Sequence, residues 1–191
     1  MPWLKKLLPL FTVIYCTTVS TTVKAETFDR DVSRFVSGTG TVLYLGTGVV
    51  LPLLIDGKNG GQHSIRTLDS LGTSVLLCQG LKEVAQVKRP DSEERDSFPS
   101  CHATAAFSVA TMQSHYHPES ALLWYGGASA IALSRVNLNR HRVTEVLAGA
   151  ALGYFTSRLE LSQKRGLILF PLIRTENKTD TVVGLQVVGY F

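Results

Sequence analysis

Cysteine is scarce in this chain of 191 residues: three in all, too few for a scaffold held together by disulfides. Charged side chains are also sparse, at 18 % against 45 % hydrophobic, which excludes an intrinsically disordered chain. No internal repeat and no low-complexity segment is present. What remains is a length suited to one domain with a sizeable core. Acidic residues are in slight deficit, 15 against 19 basic ones, for a formal charge of +4. An excess of that sign raises the question of a nucleic-acid partner, and its location answers it.

Two of the lysines, Lys5 and Lys6, precede an apolar stretch from Leu7 to Tyr15, and a third lies in Val23-Lys24-Ala25. A basic start, a short apolar core and small residues before the break describe a secretory signal peptide, with cleavage expected after Ala25. Pro9 and the Thr/Ser-rich residues after Cys16 leave the core short for a permanent anchor. Cleavage removes three lysines and no acid, which takes the basic count from 19 to 16 against 15 acids. A nearly neutral mature chain carries no nucleic-acid footprint. Export implies an oxidising compartment, periplasmic or at the membrane facing it, in which Cys78 and Cys101 remain. Their spacing does not say whether they pair.

An uncharged run follows at 35–55, long enough for a membrane span, but its Gly, Thr and Pro52 fit a buried helix as well. Asp56 to Gly61 reads as a loop and 64–88 as a helix, ended by Pro90 at the start of a charged loop over 89–97. Further helices are expected at about 100–114, 119–134 and 142–160, with His115 to Pro118 as a connector. Their uncharged windows are too short for spans. The β-branched segments 167–173 and 181–191 read as a hairpin. The expected fold is mostly α: an export segment 1–25, a helical bundle 26–160 and a β-hairpin tail 161–191.

Three motifs carry chemistry. Lys82, Arg89 and Pro90 make Lys-x6-Arg-Pro, whose seven-residue spacing puts the two cations on the same side of a helix, with Pro90 releasing the chain just beyond. Pro99-Ser100-Cys101-His102 stands at an expected helix start, where free N–H groups bind anions and Ser100 is a good cap. Ser134-Arg135 is followed by His141 and, four residues on, by Glu145. As i and i+4 those two are expected to be neighbours on one helical face, the carboxylate holding one imidazole nitrogen and freeing the other.

In order and spacing these motifs resemble the signature of the type-2 phosphatidic acid phosphatase superfamily, related to class A bacterial acid phosphatases and vanadium haloperoxidases. That signature reads Lys-x6-Arg-Pro, Pro-Ser-Gly-His and Ser-Arg-x5-His-x3-Asp. The resemblance spans about 64–157 and implies a helical bundle and a metal-independent phosphatase without a cofactor. It further implies that His141 attacks phosphorus to give a phosphohistidine, with Glu145 orienting it. His102 would protonate the leaving oxygen and later activate water. Lys82, Arg89, Arg135, Ser100 and the amide of Cys101 would hold the phosphoryl oxygens. The partner implied is a phosphorylated lipid or a small phosphoester, with contact at a membrane surface.

Two positions depart from the signature, Cys101 for Gly and Glu145 for Asp. Cys adds a Cβ where backbone meets ligand, and Glu is one methylene longer. Both leave open a protein that binds a phosphate or lipid headgroup and turns over slowly. A vanadate-dependent haloperoxidase fits the same cradle less well, since the chain is short before the first motif. A zinc site from Cys101, His102, His141 and Glu145 is disfavoured by the adjoining cations. Near those cations Cys101 reads as a redox-sensitive thiol, or as the partner of Cys78 in a disulfide. His63, His115 and His117 lack patterned partners and read as surface residues.

Overall fold

Small side chains let helices approach closely, and 101–116 presents them on every face. The computed structural model describes residues 29–163 and, after them, 166, 173–175 and 181–183. In it this segment is helix α4 (Cys101–Tyr116). Ala103, Ala106, Val109, Ala110 and Met112 are fully buried, as are the polar Thr104, Ser108 and Gln113. Around α4 pack α2 (Thr41–Ile55), α3 (Gly60–Ala85), α5 (Ala121–Asn137) and α6 (Val143–Ser162).

A core so rich in hydroxyls must satisfy them internally. Ser70 on α3, Ser108 on α4 and Ser157 on α6 form a closed set, with Oγ–Oγ separations of 2.7 to 3.0 Å. Gln113 donates to the carbonyl of Gly48 on α2 at 2.7 Å. These bonds fix the helices in register where apolar contacts alone would let them slide.

Ahead of α2, helix α1 (Arg30–Phe35) and a π-helical turn (Val36–Gly40) continue one rod from Arg30 to Ile55. It is long and apolar enough to cross a membrane, and only 17 % of its most apolar window is buried. A buried core helix, the competing expectation for 35–55, does not hold. Val42, Leu43, Leu53 and Leu54 face outward because the inner face is taken by small residues, Ser33, Ser37, Thr41 and Gly48. Leu76, Leu122, Leu133 and Phe155 extend the exposed apolar surface onto α3, α5 and α6.

Boundaries shift from expectation for local reasons. The helix expected over 64–88 runs from Gly60 to Ala85, because Gln86 turns left-handed (φ 46°) and its N–H closes on the Lys82 carbonyl at 3.0 Å. The turn before it shrinks to a 3₁₀ segment, Gly57–Asn59. His115 and Tyr116 remain in α4, and the chain turns at His117 into a 3₁₀ segment, Pro118–Ser120. At the C-terminal end, Ile173–Thr175 (β1) pairs antiparallel with Thr181–Val183 (β2). Most of the expected hairpin and the whole export segment 1–25 lie outside the described residues.

Helices α4 and α6 pack backbone against backbone. A Cβ at Gly153 would collide with the Thr104 carbonyl and the Ser108 amide, and one at Gly149 with the Ser100 carbonyl. Ser100 belongs to the second motif, so this packing positions the site as well as the core. We expect Gly153→Ala to cost about 2 kcal/mol of stability, read as a lower urea midpoint with an unchanged slope. A midpoint equal to the wild type would show that the two helices can part without penalty.

Candidate active site

The ends of α3 and α5, the starts of α4 and α6 and the loop 86–100 meet at one end of the bundle. Lys82 lies in the last turn of α3 and is almost wholly buried. Its Nζ donates to the main-chain oxygen of Asp96 and sits 3.5 Å from the Asp96 carboxylate. Arg89 donates to both carboxylate oxygens of Asp96, at 2.5 and 2.8 Å. The two cations therefore converge, but not along a helix face as expected: α3 has ended before Arg89, and a carboxylate in the loop gathers them. The loop itself closes through Arg89 N–H to Glu94 O and Ser97 N–H to Val87 O, both 2.9 Å.

His141 also differs from expectation. It precedes α6 instead of lying on it, so the i, i+4 spacing to Glu145 is not a helical one. Glu145 occupies the third position of α6 and turns back to cap it, Oε2 accepting the N–H of Arg142 at 3.0 Å. The same oxygen lies 3.3 Å from His141 Nδ1 and accepts from Ser97 Oγ at 2.5 Å, while Oε1 accepts from Arg142 Nη1 at 2.7 Å. Burial pushes the Glu145 carboxyl up, but these bonds outweigh it and hold its pKa below the ordinary value. A carboxylate accepts only, so Nδ1 of His141 carries the proton and Nε2 is left with its lone pair.

Arg135 sits near the end of α5, and its carbonyl receives the N–H groups of Arg140 and His141 at 3.0 and 3.3 Å. Its Nη1 donates to Ser37 Oγ, and its buried Nε has no hydrogen-bond partner among the described residues. Ser100 is the cap residue of α4, but its Oγ makes no capping bond and is likewise unpartnered there. The main-chain N–H of Ser100 donates to the Glu145 carbonyl at 3.0 Å. His102 follows in the first turn of α4.

The charges reveal what this grouping favours. Burial and then the charges of Arg135, His141, Lys82 and Arg89 pull His102 down to about 4. Burial and Arg135 lower His141 against the opposing pull of Glu145. Lys82 is lowered by burial, and Arg135 to about 10 by burial, Arg140 and Arg89. Asp96, bonded to Arg89, is held at about 2. Groups that push one another toward neutrality would all be relieved by one polyvalent anion.

Cys78 and Cys101 are joined in a disulfide, with Cα atoms 5.7 Å apart. This settles the alternative left open by their spacing: Cys101 is not a free redox-sensitive thiol. The bridge fastens α3 to the start of α4, one helical turn from Lys82 and one residue from His102. Cys101 therefore has no thiolate to offer a metal ion.

Sequence reasoning missed Asp96, Ser97 and Ser37, which belong to no motif and meet the cradle only through the fold. It also misread His63 and His117. Both converge on the buried Asp56, at 2.5 and 3.1 Å, and His63 stacks on Tyr116 with ring centroids 3.9 Å apart. His63 and Tyr116 line a cavity of about 400 Å³ together with Asn59, Gln62, Arg66, His115 and Leu161, at the other end of the same helices.

Residues 66–167, just over half of the chain, match the family model of the PAP2 superfamily. The chain belongs to that superfamily. Its resemblance to a lipid A 1-phosphatase of Porphyromonas gingivalis is 38 % identity over 76 residues, 37 % of this chain and 17 % of that one. This PAP2 chain thus spans about a sixth of the length of that relative. In fold it is similar to a transmembrane PAP2-type phosphatidylglycerolphosphate phosphatase from Bacillus subtilis, with TM-score 0.54 and 24 % identity over 71 % of this chain and 78 % of that one. Aquifex aeolicus LpxE is similar too, with TM-score 0.53 and 19 % identity over 74 % and 99 % of the two chains.

Two outcomes follow for this PAP2 cradle. Closing a loop over a sequence separation of 23 residues, the disulfide is expected to contribute about 3 kcal/mol. Cys78→Ser should lower the urea midpoint accordingly, and peptide mapping without reductant should recover residues 78 and 101 as one linked species. The second outcome concerns pH. His102 titrates near 4 in the folded chain against 6.5 for the free side chain, so on acidification the unfolded chain takes up that proton first. Its contribution to stability is whole above pH 6.5 and is lost as pH falls from there to about 4. Urea midpoints should fall across that window, and His102→Asn should flatten the fall; parallel curves would count against the burial of His102.

Proposed function

We propose that the protein is a phosphatase that removes phosphate from phosphomonoesters or diphosphates, lipid phosphates foremost, through a phosphohistidine on His141. The observation that carries this reading is His141 itself. It is buried, held through Nδ1 by an ionised Glu145, and set among Lys82, Arg89 and Arg135 with His102 close enough to feel its charge.

The chemistry divides among these residues. Lys82, Arg89, Arg135 and the N-terminal amides of α4 bind the phosphoryl oxygens and stabilise the charge that spreads over them. Nε2 of His141 forms a bond to phosphorus as the ester P–O bond breaks, and Glu145 stabilises the imidazolium that results. The arriving phosphoryl anion raises the lowered His102 pKa, so that His102 takes up a proton and passes it to the leaving oxygen. Neutral again, His102 removes a proton from water, whose oxygen attacks phosphorus as the N–P bond breaks and free phosphate leaves.

A lipid substrate is supported by the exposed leucines around the bundle and by the rod from Arg30 to Ile55. The relatives point the same way, since lipid A and phosphatidylglycerol phosphate are both lipid phosphates. In this reading residues 1–25 are an export signal, the cradle faces the periplasm at the membrane surface, and 161–191 form a hairpin tail.

Purified protein should release phosphate from detergent-dispersed lipid phosphates faster than from water-soluble phosphoesters. His141→Ala should reduce turnover by at least about a thousandfold. Glu145→Gln should reduce it less, since the hydrogen bond survives the loss of charge. Phosphate release by His141→Ala at the wild-type rate would sink the nucleophile assignment, and a preference for soluble esters would sink the lipid one.

A further inference from the structure

The rod from Arg30 to Ile55 lies outside the segment that matches the family model, yet it reaches the cradle. Its helical period is broken once, at the π-helical turn Val36–Gly40. Such a turn adds a residue and rotates the side chains on either side of it relative to a regular helix. Thr41 Oγ1 satisfies the carbonyls of this turn, donating to Val36 at 2.8 Å and Ser37 at 3.3 Å. Ser37 is buried and its Oγ accepts from Arg135 Nη1. One turn earlier, the fully buried Ser33 accepts from Asn137 Nδ2 at 2.8 Å. The rod therefore grips the end of α5 at two points, and one of them is the guanidinium of the cradle.

The kind of partner matters. Lys82 and Arg89 are held by the carboxylate of Asp96, which neutralises part of their charge. Arg135 is held by a hydroxyl, which orients the guanidinium without cancelling its charge. With Nη1 fixed on Ser37, the planar fork leaves Nε and Nη2 in one set direction. Nε is buried without a partner among the described residues, although a buried guanidinium N–H ordinarily finds one.

We propose that Ser37 is a positioning residue for phosphate binding: from outside the family-matched segment it fixes the Arg135 fork so that the remaining N–H groups meet the phosphoryl oxygens. The inference rests on the phosphatase reading above. It makes the first rod part of the functional site as well as an apolar surface.

The test is titration of inorganic phosphate and orthovanadate into purified full-length protein in detergent, alongside thermal melting. Ser37→Ala should weaken both anions roughly tenfold. Ser37→Thr, which keeps the hydroxyl, should bind as the wild type does. Ser33→Ala removes a neighbouring bond between the same two helices, so it should lower the melting temperature about as much as Ser37→Ala while leaving anion affinity unchanged. Should Ser37→Ala not fold, Ser37→Cys keeps the size with a much poorer acceptor and carries the same expectation. Anion affinity equal to the wild type in the hydroxyl-less variant, or an equal loss in Ser33→Ala, would overturn the positioning role. A wild-type protein that binds neither anion and hydrolyses no phosphoester would overturn the phosphatase reading and this inference with it.

Discussion

Glu145 is the residue on which the arrangement turns. Its side chain caps the helix it belongs to, holds one nitrogen of His141 and receives the hydroxyl of Ser97 from the opposite loop. Its main-chain oxygen receives the first amide of the second motif, that of Ser100. Two segments distant in sequence, 97–100 and 141–145, are thus referred to one residue. A buried carboxylate is costly unless its lone pairs are filled, and here filling them assembles the site. The extra methylene of Glu over Asp is taken up by the turn back to the helix cap, which explains how the longer side chain still meets the imidazole.

The cradle is a local loss of stability. Lys82, Arg135, His102 and His141 all sit where burial and mutual repulsion disfavour their charged forms. Something must hold them together, and the structure applies several devices. Asp96 pairs with two of the cations on the loop side, the disulfide joins α3 to α4, and Gly149 lets α6 lie against the start of α4. Rigid supports of this kind spare the reaction the cost of gathering like charges at the moment they are needed.

Much of this was legible in the sequence, and the rest was hidden for definite reasons. Motif spacing singled out eight residues, and the fold gathers them at one end of the bundle. The geometry behind two of the motifs was different. Lys82 and Arg89 do not share a helix face, since Gln86 enters the left-handed region that neither its type nor its neighbours signal. His141 stands before α6, since the helix begins only where Glu145 can cap it. Asp96, Ser97 and Ser37 carry no periodic or motif signal; Ser37 meets Arg135 across 98 residues of chain. Helices were readable from apolar content, and their ends were off by a few residues because caps and left-handed turns set them. The rod over 30–55 was ambiguous because a span and a core helix have the same composition and differ only in what surrounds them.

The glycine contacts between α4 and α6 bear on how the protein tolerates change. Along that seam, backbone meets backbone and no side chain fits, so neither helix can absorb a substitution by repacking. On the outer surface the leucines of α2, α3, α5 and α6 touch little of the protein, and one apolar residue there can replace another at small cost. Variation is therefore channelled outward. The outer surface can be retuned to whatever surrounds the bundle, while the distance between the first turn of α4 and the cap of α6 stays constant. An inflexible interior seam is what lets the exterior drift without disturbing the chemistry.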